Sequence, residues 1–241
     1  MNSCVKNRLV LYFAVIFIVS CEIKNSKPSK DLVSQLHLKK GEVISCGPPG
    51  KEFGVVDFEM NCSKNVKNDF NTALELLHSF EYDESEKVFA KIIDESPGCA
   101  MAYWGVAMAN FHPLWEPPTE ADIIKGEAAV RIAIAITGKS KRESGYIEAI
   151  AAYYKDWKKT NARIRAGNFE KAMQQLHSDY PDDPEAAIFY ALSLDAAADP
   201  ADKNYTNQKK AGDILNALYN AKPNHPGIIH YIIHISLAVP H

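Results

Sequence analysis

Residues 70–111 read FNTALELLHSFEYDESEKVFAKIIDESPGCAMAYWGVAMANF. Phe70, Ala73, Leu74, Leu76 and Leu77 recur at the three-and-four spacing of one helix face. After Tyr82-Asp83 a second run places Val88, Phe89, Ile92 and Ile93 on one face. Pro97-Gly98 stops it, and Cys99–Phe111 resumes a helix. Helix, short turn, helix, proline, helix is the pattern of stacked helical hairpins, so the sequence predicts an all-α fold.

The pattern continues outward with interruptions. Phe111–Thr119 is a proline-rich loop, followed by two helical segments near 120–136 and 141–157. Asp199–Gln208 reads as an inserted loop. Pro226 suits the first turn of a final helix, with Asn224 or His225 in the capping position. On the N-terminal side, residues 41–66 carry Gly41, Gly47, Pro48, Pro49, Gly50 and Gly54 and read as an irregular, cysteine-containing segment.

The hairpins resemble tetratricopeptide (TPR) repeats. That motif places a small residue twelve positions before a closing proline and a large apolar one eight before it. Ser85 and Phe89 stand so to Pro97, Ala172 and Leu176 to Pro184, and Ala211 and Leu215 to Pro223. A small residue lets two helices approach, the large one fills the groove, and proline ends the hairpin. Tyr180-Pro181-Asp182-Asp183-Pro184-Glu185-Ala186 resembles a TPR turn, and Asn168-Phe169-Glu170-Lys171-Ala172 the start of a second helix. The expected domain is a TPR-like right-handed superhelix over residues 67–241. The alternative is an unrelated helical bundle.

Several phrases resemble a family of bacterial exported TPR proteins: Leu76-Leu77-His78-Ser79-Phe80, Ala102–Met108, Phe111-His112-Pro113-Leu114-Trp115 and His225–His234. The resemblance covers roughly residues 41–235 and implies a scaffold that binds a protein or peptide partner. Members of that family continue with further hairpins, whereas this sequence stops at His241, so a truncated member with a poorly covered last helix is expected.

The N-terminus reads as a targeting segment. Lys6 and Arg8 precede an unbroken apolar run, Leu9–Val19, too short to span a bilayer. Ile18-Val19-Ser20-Cys21 resembles a bacterial lipobox, which implies a signal peptide over 1–20, acylation of Cys21 and attachment to a membrane of the cell envelope. A plain secretory signal and an uncleaved anchor are the alternatives. Residues 21–40, polar and lysine-rich, read as a flexible tether. Removing 1–20 leaves 25 basic against 30 acidic side chains, a balance of −5, which argues against a nucleic-acid partner.

Of five cysteines, Cys46 and Cys62 flank a Gly/Pro-rich stretch and are expected to form a disulfide, the alternative being two free thiols. Cys99 reads as a small buried apolar residue. The one constellation with metal-ligand character is histidine-based. His230 and His234 lie four apart on a nearly all-apolar helix, half of a zinc or copper site. His225, His112 and His78 are the candidates to complete it. The alternative is a set of buried structural histidines with hydrogen-bond partners. Tyr231 stands where a zinc-hydrolase helix motif requires Glu, and no nucleophile motif is present, so no catalytic residue is assigned. Trp104, Trp115 and Trp157 read as core or as the lining of a ligand groove.

Overall fold

The computed structural model describes residues 27–44, 53–114 and 117–238. These contain ten α-helices and no strand. They are α1 (Lys30–Ser34), α2 (Lys67–His78), α3 (Tyr82–Glu95), α4 (Ala100–Ala109), α5 (Glu120–Ala135), α6 (Lys141–Tyr154), α7 (Ala162–Asp179), α8 (Pro184–Ala196), α9 (Thr206–Tyr219) and α10 (Pro226–Ala238). From α2 onward each helix packs against the next, α4 also meets α2 and α6, and α10 also meets α8 and α2. The result is a stack of helical hairpins, as expected. No described helix is long and apolar enough to cross a membrane.

Local chemistry sets the helix ends. Thr119 with Asp122 and Ser140 with Glu143 form capping boxes at the heads of α5 and α6. Asp183 caps α8, whose first residue is Pro184. α4 and α8 are apolar on every side, and both are buried almost throughout. Two of the large residues of the repeat pattern, Phe89 and Leu176, sit against glycines of neighbouring helices. A methyl group at Gly105 of α4 would lie 2.3 Å from the Phe89 ring of α3, and one at Gly145 of α6 would lie 2.5 Å from Leu176 of α7. Phe89 and Leu176 therefore seat directly on backbone.

The centre of the stack is filled by aromatic rings. Phe58 lies 5.3 Å from both Phe70 and Tyr146, and Trp104 lies 5.5 Å from Phe189. Trp104 is thus core. Trp157 packs at the margin and donates to Glu127 at 3.1 Å. Phe58 belongs to the stretch 53–62, which has no helix or strand and threads between the hairpins. Its backbone is held at Val55 by Asn224 O (3.0 Å), at Phe58 by Asn71 Oδ1 (3.1 Å) and at Asn61 by Glu143 Oε1 (2.8 Å).

Two expectations are corrected here. Cys62 bonds to Cys99, not to Cys46, which lies outside the described residues. The 53–62 stretch ends at the head of α4, bringing the Cα atoms of Cys62 and Cys99 to 5.1 Å across 37 positions of sequence. Proximity along the chain favours the short loop, but packing chose the long one. The second concerns the tether of 21–40. Within it, Leu36 is 2% exposed, the Lys39 amide donates to Glu86 at 2.8 Å, and Lys40 reaches Asp94 at 2.6 Å. From residue 27 this part of the chain is docked on the hairpins. Residues 1–26, including Cys21, lie outside the described residues.

α10 is covered on one face only. Ile228, Tyr231 and Ile235 are buried, while Ile229 (40%), Ile233 (50%) and Leu237 (79%) are exposed. Its buried face meets α8, α9 and also α2, the first long helix.

Candidate functional site

The contact between first and last hairpins brings three donor side chains together. His78 is the last residue of α2, Glu185 the second residue of α8, and His225 immediately precedes α10. His78 is fully buried, and Glu185 and His225 are each 3% exposed. His78 Nε2 lies 3.1 Å from Glu185 Oε2, and His225 Nε2 lies 2.6 Å from Glu185 Oε1. One donor atom from each residue falls within 4.8 Å of the other two.

The electrostatics follow from that arrangement. Burial would raise the Glu185 carboxyl, but the charge and hydrogen bonds of His78 and His225 outweigh it and hold the group far below its ordinary 4.5. Burial pushes the His78 imidazole below 6.5, and Glu185 only partly compensates. The site is therefore an ionised carboxylate between two imidazoles inside the protein.

Its walls fix the ring positions. His78 Nδ1 pairs with Tyr231 Oη at 2.9 Å, and Phe189 stacks on the ring at 4.8 Å between centroids. Gly227 is required beside it, because an added methyl would lie 2.7 Å from His78 Nδ1. His225 Nδ1 is buried and has no hydrogen-bond partner.

Glu185 also forms part of the wall of a pocket of about 470 Å³ where the hairpin turns meet. Asp57 and Glu59 enter from the 53–62 stretch, Arg142 from α6, Tyr180 and Asp182 from the α7–α8 turn, and Lys222 from the α9–α10 turn. Arg142 lies 4.3 Å over the Phe58 ring. It donates to both oxygens of Asp183 (2.6 and 3.0 Å) and to Glu59 O (2.7 Å), while Tyr146 donates to Asp183 at 2.8 Å.

No family model, curated protein or solved structure matches this chain.

Of the five histidines singled out in the sequence, His78 and His225 meet at Glu185. His230 does not join them as a donor. Its Nδ1 lies 3.0 Å from the carbonyl oxygen of His78, and its ring packs tilted against Phe80 at 4.5 Å. His234 packs 4.7 Å from His230 and 5.5 Å from Phe80. The i, i+4 pair thus lies behind the cluster rather than in it. His112 stacks on Tyr82 at 4.6 Å, in a left-handed turn (φ 46°) after α4. Trp115 lies outside the described residues. Sequence reading missed Glu185, Tyr231 and Arg142. Glu185 carried a usable signal, since a lone acid at the head of a helix apolar all round must find partners when that helix is buried.

Proposed function

We propose that the chain is a helical-repeat scaffold that binds a protein or peptide segment in a bacterial cell envelope, held to a membrane by lipid on Cys21. One observation carries the binding reading. The stack already holds a non-helical segment, 53–62, through backbone amides of that segment and acceptors on three hairpins. Hairpin turns that fix a polypeptide in this way suit a second one. The open pocket continues from that segment, and Asp57, Glu59, Asp179 and Asp182 outnumber Arg142 and Lys222 on its walls. A segment bearing lysine or arginine is the complement of such a surface.

Fluorescence anisotropy with labelled lysine- and arginine-containing peptides tests this. Saturable binding is expected, weakened at least tenfold by Glu59→Arg with Asp182→Arg and by raised salt. Equal binding of acidic peptides, or no binding of any peptide, would reject it. The anchor is tested separately: Cys21→Ser is expected to move the processed protein from the membrane to the soluble fraction.

A further inference from the structure

We propose that His78, Glu185 and His225 together bind one divalent transition-metal ion, zinc by the character of the donors. Two imidazoles and one carboxylate form a donor set that zinc takes, and three protein donors leave one position for water or a ligand. The donor set is distinct from the Glu59 and Asp182 side chains on which the peptide test rests, although Glu185 borders the same pocket.

Four observations carry it. First, the donors come from the end of α2, the head of α8 and the turn before α10, far apart in sequence, yet one donor atom from each lies within 4.8 Å of the other two. Tetrahedral zinc places its donors roughly 3.3 Å apart, given bonds of about 2.0–2.1 Å, so the side chains need only small shifts to receive an ion. Second, the set is buried and pre-positioned. Phe189 and Gly227 fix the His78 ring, and Tyr231 Oη sits 2.9 Å from Nδ1. With Nε2 on a metal, Nδ1–H donates to Tyr231, which is how metal-bound histidines are commonly oriented. Third, His225 Nδ1 is buried without a partner. Nε2, turned to Glu185 at 2.6 Å, is therefore the nitrogen that His225 presents to an ion. Fourth, Glu185 lines the pocket at the hairpin turns, which gives an ion a route from solvent lined mainly by carboxylates.

A purely structural role makes a different claim: a closed His–Glu–His network with no affinity for metal. The two are separated on the full processed chain, with any purification tag removed. The chain is stripped with chelator, dialysed against zinc or cobalt(II), and analysed for metal content. One equivalent per chain is expected, with the intense visible absorption of four-coordinate cobalt. Glu185→Gln and His225→Ala should each weaken uptake at least a hundredfold. His230→Ala with His234→Ala should retain one equivalent, because those rings lie outside the donor set.

Loss of the fold in the first variants is covered by a measurement on the unmutated chain. In ¹⁵N-histidine spectra, zinc should shift the Nε2 signals of His78 and His225 and leave those of His112, His177 and His234 in place. A folded chain that takes up no stoichiometric metal overturns the proposal. So does uptake that survives Glu185→Gln and His225→Ala, or zinc shifts confined to other histidines. Loss of peptide binding with metal uptake intact would reject the scaffold and leave this site standing.

Discussion

Glu185 shows how one side chain ties folding to acidity. Its carboxyl is held far below 4.5 in the folded protein, chiefly against burial, by His78 and His225. The stability it confers is complete above about pH 4.5 and is lost as pH falls below that. His78 faces Glu185, His225 and His230, and burial lowers it from 6.5. The unfolded chain therefore takes up its proton first, and stability falls as pH drops below 6.5. Both groups act in one direction. Urea unfolding of chelator-treated protein is expected to give midpoints that decline from pH 7 to pH 5.5 and further at pH 4. A midpoint constant across that range would contradict this account. Glu185→Gln should flatten the acidic part of the profile. At neutral pH it should cost roughly 1.5–3 kcal/mol, the usual worth of hydrogen bonds to a charged group.

Single elements are fixed by what they seat against. The 53–62 stretch has no secondary structure of its own and is held by Phe58 in the aromatic centre and by the bond from Cys62 to Cys99. Phe58→Ala should destabilise by roughly 3–5 kcal/mol, as for other buried aromatics. Opening a loop of 37 positions by reduction should remove about 4 kcal/mol in the chain-entropy model. Calorimetry with and without reductant, alongside Cys62→Ser with Cys99→Ser, checks this. Equal melting temperatures would mean the bridge is incidental to the fold. α3 and α4 meet where Phe89 lies on Gly105. Gly105→Ala should cost about 1–3 kcal/mol by overpacking. Phe89→Leu in the same chain should recover part of that loss, because the two changes share one contact.

At the scale of the whole molecule, the meeting of α2 with α10 departs from a simple row of repeats. An open stack frays from its ends, since each repeat touches only its neighbours. Here the Tyr231–His78 and His230–His78 contacts tie the last helix to the first long one. Native-state hydrogen exchange should therefore show α2 and the buried positions of α10 opening together. Tyr231→Ala should raise exchange in both by at least tenfold while α5 changes little. Loss of protection in α10 alone would show that the contact does not couple the two ends. The exposed Ile229, Ile233 and Leu237 lie on the other face of α10, so their replacement by lysine should leave this coupling intact.

The sequence by itself determined the hairpins. Phe70 to Leu77 and Val88 to Ile93 repeat at the helical period, and Pro97, Pro184 and Pro226 mark where helices stop and start. These are local signals, carried by backbone sterics and by which face must leave water. It also singled out the histidines in and near α10, with His230 and His234 foremost. His230 and His234 were conspicuous because they are neighbours on one helix face. The residues that meet, His78, Glu185 and His225, are separated by 107 and 40 positions, and no local period connects them. The same holds for Cys62 and Cys99, and for the arm at 27–44, whose polar composition hid Leu36 and the Lys39 contact with Glu86. Tertiary structure decided these because they depend on how far the stack turns before its last helix returns to its first. That angle is summed from every helix–helix contact, including Phe89 on Gly105 and Leu176 on Gly145, and no single stretch of sequence encodes it.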